Sequence, residues 1–591
     1  MVRLAVLEKD RCINKEGCNF ICGGMCPVNR SGKECIVLEE DSGKPIINEE
    51  LCIGCNICVL KCPVKCIHIE NLVQELNENP VQRFGKNSFR VYRLPFAKKG
   101  SVVGIIGRNG IGKSTILKIL SGQIIPNLGN YENEASYNSA IEFFKGKELQ
   151  NFFTSIKEKS ISVSFKPQNI TAIPKVFKGK VITLLKKADE RKKLVEISKE
   201  LGIEKILERN ISDLSGGELQ RVAIAAACLK DADFYAFDEP TSYLDVRERL
   251  NAAKVMTALA EENKSVVVIE HDLAVLDYLS DYIHLLYGKK SVYGIVSNPK
   301  SVRNGINEFL DGYLKDENVR FRKKELKFSV TPSTDFKTKR IAAEYPSMKK
   351  KFRDFSLEIE GGNLREAEVL GVMGPNAIGK TTFVKMLAGA EIPDKGSIEI
   401  PLKVSYKPQY LVPEKGITVS NFIDSQDIDK SIFKNEVDRR LDITSIEDHY
   451  LDEISGGELQ KVAVSVALSR NDSDLVLLDE PTAFVDVDDR LAMADTIRSV
   501  IDSKKKISLV VDHDILFQDY VSDRLIVFEG EPSVYGKAEK AVSMHEGMNK
   551  FLKSMKVTFR RDPSTGRPRA NKFGSQLDQE QKKTGEYYYT V

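Results

Sequence analysis

The sequence predicts an α/β chain in which one phosphate-binding domain occurs twice, behind a small cysteine-rich domain. Three observations carry this expectation. Residues 107–115 read GRNGIGKST and residues 374–382 read GPNAIGKTT, both fitting G-x-x-x-x-G-K-[ST], the loop whose glycines let backbone amides close on phosphate oxygens. A set of further motifs recurs behind each loop at matched spacing. Ten of the eleven cysteines fall within the first 66 residues, a crowding that in a reducing compartment points to metal rather than disulfides.

Length and charge limit the partners of such a chain. At 591 residues it is too long for one core, and roughly three to five domains are expected. A formal charge of +3 with 29% charged residues is an ordinary surface, so any nucleic-acid footprint must be local. No apolar run approaches the ~18 residues that span a bilayer, and MVRLAVLEKDRC lacks a signal-peptide h-region. A cytoplasmic location is therefore expected.

The cysteine block comes first in the chain. Residues 52–63 read CIGCNICVLKCP, the C-x2-C-x2-C-x3-C-P run of bacterial ferredoxins, and residues 12–27, CINKEGCNFICGGMCP, are a stretched copy that keeps the closing Cys-Pro. In two-cluster ferredoxins the fourth cysteine of each run serves the other cluster. This pattern assigns Cys12, Cys18, Cys22 and Cys62 to one 4Fe-4S cluster and Cys52, Cys55, Cys58 and Cys26 to a second, in a ferredoxin-like α+β domain over 1–76. Cys35 and Cys66 fall outside both runs and read as small core residues. Tetrathiolate zinc, which also uses C-x2-C pairs, is the alternative.

Each phosphate loop sits between a buried strand and a helix. VVGIIG (102–107) and EVLGVMG (368–374) are apolar runs, while TILKILSG and TFVKMLAG have helical spacing and end on glycine. ATP phosphates would lie on a helix N-terminus, where free amides and the helix dipole favour anions. Candidate ATP contacts in the first loop are Gly107, Asn109, Gly110, Gly112, Lys113, Ser114 and Thr115. In the second loop they are Gly374, Asn376, Gly379, Lys380, Thr381 and Thr382. Lys113 and Lys380 would reach the terminal phosphates, and Ser114 and Thr381 would ligate magnesium. Upstream, NPVQRFGKNSFRVYRLPFAKKG offers Phe84, then Phe89, as a ring to stack on adenine or to pack between domains; Tyr345 is the candidate in the second half.

The repeat extends past the loops. FKPQ (165–168) recurs as YKPQ (406–409), LSGGELQRVAIAAA (214–227) as ISGGELQKVAVSVA (454–467), FYAFDEPTSYLD (234–245) as LVLLDEPTAFVD (475–486), and VVVIEHD as LVVDHD. One interval differs. Lys113 to Gln168 spans 55 positions against 29 from Lys380 to Gln409, so the first half carries an insert at about 131–160. Apolar spacing at Ile141, Phe144, Leu149, Phe152, Phe153 and Ile156, broken at 145–147, predicts two short amphipathic helices and a turn, either a tolerated excursion or a docking surface.

Phosphate loop, glutamine loop, LSGGE, Asp-Glu strand end, aspartate loop and histidine, in this order, resemble the nucleotide-binding domains of ATP-binding cassette proteins. The resemblance implies that two such domains pair head to tail, the signature of one completing the ATP site of the other. It also implies roles. Asp238 and Asp479 would hold magnesium through water, Glu239 and Glu480 would polarise the attacking water, Gln168 and Gln409 would sense magnesium and γ-phosphate, and His271 and His513 would contact that phosphate. Ser215, Gly217 and Glu218 would face the second phosphate loop, and Ser455, Gly457 and Glu458 the first.

Two segments, 301–340 and 546–591, are rich in lysine and arginine, including KVTFRRDPSTGRPRANK at 556–572, and would suit phosphate-backbone contacts. With domains at 77–300 and 341–545, the whole order resembles the soluble subfamily E, the RNase L inhibitor family. That resemblance implies a monomeric, magnesium-dependent ATPase binding two ATP. It implies ribosome recycling as the activity, with the small ribosomal subunit, ribosomal RNA at the basic hinges and a peptide release factor as partners. Two readings from other classes stay open: an energising subunit of a membrane transporter, and an iron–sulfur redox protein.

Overall fold

The computed structural model describes the chain except residues 1–2, 14–16, 41, 72–77, 323–324, 327–338, 397–400 and 589–591. Part of the first basic hinge and the expected boundary at 76/77 thus lie outside the described residues.

In the first half, strand Ser101–Ile106 runs parallel between Ser265–Ile269 and Tyr282–Lys289. Phe234–Asp238 and then Val163–Lys166 extend the sheet on one side; Tyr293–Val296, Arg90–Tyr92 and Gln82–Arg83 extend it on the other. The central strands are buried throughout because helices cover both faces, which is why they read as unbroken apolar runs. The second half repeats this order strand for strand around Glu368–Met373, with Ile507–Val511, Leu475–Asp479 and Val404–Lys407 on one side. Each phosphate loop follows the central strand and opens a helix, Lys113–Leu120 or Lys380–Leu387.

The N-terminal domain pairs Arg3–Leu7 with Ile67–Asn71 and Ile36–Leu38 with Pro45–Ile47, around short helices Ile21–Gly24, Pro27–Arg30 and Ile57–Lys61. It is fastened to the first half by a buried asparagine. Asn87 donates to the carbonyls of Ala5 and Ile47 at 2.9 Å each, and its side-chain oxygen accepts from the Ile47 amide at 2.8 Å.

The insert forms helices Tyr137–Phe143 and Glu148–Lys157, as the spacing predicts. Its aromatic rings are turned inward: Phe153 is fully buried, stacks on Phe144 at 5.4 Å, and Phe152 packs on Phe234 at 5.2 Å. These rings fasten the hairpin to the domain core, which removes them from a docking surface and leaves the 145–147 turn exposed.

The basic C-terminal segment also differs from expectation. It folds as hairpin Phe559–Arg561/Pro568–Ala570 and helix Gln576–Thr584, and three of its four arginines are paired with carboxylates. Buried Arg567 bonds Asp277, which Arg569 also meets at 3.0 Å, while Arg561 meets Asp519 at 2.7 Å. Asp277 lies on helix Leu273–Leu279 of the first half and Asp519 on Ile515–Val521 of the second. These three arginines therefore clasp the halves together and are not free for nucleic-acid phosphates.

Candidate nucleotide sites and cysteine domain

Each half gathers its own catalytic groups by the same local geometry. Gly112 and Gly379 turn the loop into the helix at φ 98° and 101°, values a side chain rarely adopts. The loop then wraps its lysine. Lys113 donates to the carbonyls of Gly107 at 2.7 Å and Arg108 at 2.8 Å, and Lys380 to those of Gly374 at 2.9 Å and Pro375 at 2.6 Å. Burial lowers both lysines, Lys113 to about 8.

Glu239 and Glu480 follow the Asp-ended strands with φ of 45° and 47°, a strained backbone that aims them out of the sheet. His271 stands 3.3 Å from Glu239 and His513 3.4 Å from Glu480. Burial raises each glutamate, but the histidine contact, the phosphate-loop lysine and the bonded Gln168 or Gln409 outweigh it and hold both at about 2. Ser114 stands beside Asp238 and Thr381 beside Asp479, while desolvation raises both carboxylates, Asp479 to about 6. Asp238 Oδ1 and both oxygens of Asp479 are buried without partners. Such orphaned carboxylate oxygens beside a hydroxyl fit a hydrated magnesium ion.

Sequence reasoning missed the residues that hold these strand ends. Buried Lys166 donates to the carbonyls of Asp238 and Glu239 at 3.0 and 3.1 Å, and Lys407 to those of Asp479 and Glu480 at 2.8 and 3.0 Å. The signal was present as the lysine of the recurring KPQ. Tyr345 is a correction: it is buried at 2% exposure against Phe383, so neither ring face can stack on a base. Phe84 is exposed in its hairpin. The rings at the phosphate loops are Phe89, against Gly112, and Phe355, against Gly379. They stand 24 and 25 positions before the two lysines, a match the sequence held.

The halves meet loop to loop. The Asn109 amide donates to Asp486 of the opposite aspartate loop at 3.2 Å, and the Asn376 amide to Asp245 at 2.9 Å. The signature helices Gly216–Leu229 and Gly456–Ser469 are capped by Ser215 and Ser455, whose exposed N-termini favour an anion. A side chain on Gly217 or Gly457 would strike the carbonyl of Tyr243 or Phe484 at 2.9 or 2.8 Å, so the signature needs glycine to lie on the aspartate loop. Glu458 reaches Lys290, which lies against Gly110 of the first phosphate loop, at 2.7 Å. Glu218 instead pairs within its own half, with Arg209 at 2.8 Å.

In the N-terminal domain Cys12, Cys18, Cys22 and Cys62 line one small, mainly apolar cavity. Cys58 is raised to about 11 by burial and then by Cys52, Cys55 and Cys26, the other three sulfurs of the expected second set. Sulfurs gathered on one cavity, and a second set close enough to raise Cys58, fit iron–sulfur ligation.

Paired phosphate loops, signatures and carboxylates define a twin-cassette ATPase. The ABC transporter family model matches residues 96–242 and 358–483, and the 4Fe-4S binding domain model matches 45–68. The chain belongs to the ATP-binding cassette family, and within it to subfamily E, the RNase L inhibitor group. It is 52% identical to an ABC transporter ATP-binding protein of Methanocaldococcus jannaschii, over 100% of this chain and 98% of that one. With ABC transporter E family member 1 of Arabidopsis thaliana it shares 43%, over 100% and 99% of the two chains. A structure of ribosome-bound archaeal Pelota and ABCE1 superposes with a TM-score of 0.92 at 53% identity, covering 100% of this chain and 99% of that one. Archaeal ribosome recycling factor aABCE1, solved with stalk protein aP1, gives 0.83 at 55%, covering 88% and 100%.

Proposed function

We propose that this protein couples ATP binding and hydrolysis to splitting of post-termination ribosomes into subunits, acting as a cytoplasmic monomer on the small subunit with a peptide release factor. The full-length likeness to ribosome-bound ABCE1 is the observation that supports it. A transporter subunit would leave the cysteine domain without a role, and among the described residues no helix is long and apolar enough to cross a membrane.

In each composite site the phosphate-loop lysine binds the terminal phosphates. Ser114, Gln168 and Asp238, with Thr381, Gln409 and Asp479 in the other site, would hold magnesium, which when bound neutralises phosphate charge. Glu239 and Glu480, held ionised, orient water, while His271 and His513 steady those carboxylates and contact the γ-phosphate. Signature residues Ser215 and Gly217, or Ser455 and Gly457, close the site from the opposite half. Phe89 and Phe355 flank the adenines. Two ATP thus join the halves, and hydrolysis releases them. Two 4Fe-4S clusters, on the cysteine sets given above, stiffen the N-terminal domain fastened to the first half.

Sedimentation with ribosomes, with and without a non-hydrolysable ATP analogue, tests this reading. Retention on the small subunit with the analogue, and conversion of whole ribosomes to subunits with ATP and release factor, are expected. No association in either state, or association with membranes instead, would overturn it.

A further inference from the structure

Eight cysteines fill the two proposed ligand sets, and two of the ten in the N-terminal domain, Cys35 and Cys66, are left over. Cys35 is buried and its thiol points to the carbonyl of Asn48 at 3.8 Å, while its amide donates to Asn29 at 3.0 Å. Its sulfur has this backbone partner and also lies beside Cys26 of the second set. Cys66 is as buried, but it lines the same cavity as Cys12, Cys18, Cys22 and Cys62, and its sulfur lies 3.5 Å from that of Cys62. The chain brings it there by a tight turn: Lys65 takes φ 49° and its amide donates to the Cys62 carbonyl at 3.2 Å, so the residue four after Cys62 returns to it. The Cys66 carbonyl then accepts from the Glu8 amide at 2.9 Å, which fixes the sulfur's position at the head of strand Ile67–Asn71. Five sulfurs therefore face a cavity in which a 4Fe-4S cluster needs four.

We propose that Cys66 is a reserve ligand for the cluster of Cys12, Cys18 and Cys22, able to take the place of Cys62. The proposal rests on the two-cluster reading above. The exchange is a ligand substitution without electron transfer: the iron–sulfur bond to Cys62 breaks, one to Cys66 forms, and the Cys66 thiol proton passes to the departing Cys62 sulfur. The contact between the two sulfurs provides the path. No such exchange is open to Cys18, because the spare sulfur stands beside Cys62. A reserve thiol would let this cluster survive loss of one ligand.

The test is iron content and the electron paramagnetic resonance spectrum of the reduced full-length protein, purified without oxygen, as wild type, C18S, C62S, C66S and C62S/C66S. Wild type should hold about eight irons. C18S and the double variant should lose about half, whereas C62S should keep the wild-type amount with shifted g-values. C66S should hold full iron but release it to a chelator several-fold faster than wild type, a readout that stands even if C62S does not fold. With eight irons in wild type, a C62S protein as depleted as the double variant would overturn the proposal alone. Iron release from C66S at the wild-type rate would do the same. Stoichiometric zinc, or only four irons in wild type, would overturn the two-cluster reading and this proposal with it.

Discussion

The first composite site is tied across the domain boundary by a nearly buried charge cluster, and the second by a single exposed pair, Lys205 with Glu531 at 3.2 Å. In the first, Arg108 and Arg322 converge on Asp488 of the opposite half, and Lys290 pairs with Glu458. At the equivalent positions of the second stand Pro375 for Arg108, Arg247 for Asp488 and Pro532 for Lys290. Arg247 is exposed and reaches only the carbonyl of Ser554. The catalytic parts do not diverge in this way: the histidine–glutamate distances agree within 0.1 Å, at 3.3 and 3.4 Å, and Lys166 and Lys407 make the same pair of bonds. Duplication has kept the chemistry and changed the clamp, so the two sites should differ in how closure is held.

The largest effect expected is on turnover. E239Q/E480Q should keep ATP bound and lose roughly 10²–10⁴-fold in hydrolysis, the usual worth of a positioned general base. The single variants should be unequal, because each leaves a site with a different clamp. Phosphate release and bound nucleotide, measured together on all three, decide it; wild-type turnover in the double variant would remove the glutamates from the mechanism.

The clamp itself comes next. D488N strips both arginines of their carboxylate, and since Arg322 and Asp488 are nearly buried the cost should be about 3 kcal/mol, seen in the unfolding transition without nucleotide. R247A at the matching place should change stability by less than about 1 kcal/mol. D488N should also bring E239Q and E480Q closer in effect. Equal behaviour of D488N and R247A would break the comparison.

The smallest effect is a pH dependence in the magnesium carboxylates. Burial raises Asp479 from 3.8 to about 6. The native state thus keeps a proton that the unfolded chain gives up, so the group costs least below pH 4 and destabilises progressively as pH rises to 6. D479N should therefore gain on wild type across that window, by on the order of 2 kcal/mol in the absence of magnesium, and the gain should level off above it. D238N at the other site sharpens the test, since Asp238 is raised by the same cause. A flat difference between variant and wild type from pH 4 to 7 would show that Asp479 is not protonated in the native protein.

What the sequence determined by itself was local. A phosphate loop is a run of nine residues whose backbone geometry is dictated by its glycines, and a cysteine run presents its sulfurs by spacing alone. The insert's two helices likewise followed from apolar periodicity, and the repeat revealed that both halves share one fold. Only the tertiary structure decided which side chains meet across long separations. Arg567 bonds Asp277 from 290 positions away, turning a segment that reads as a basic tail into a clasp. The same holds where a residue's surroundings set its role: Tyr345 is a candidate base-stacking ring by position and a core residue by burial, and the insert's phenylalanines pack inward on Phe234. Cys66 reads as a core residue until its neighbour is seen to be the sulfur of Cys62. Short motifs are legible because their function is a property of the backbone they encode; a charge or a ring acquires its function from the partner the fold places against it, and no local pattern records that partner.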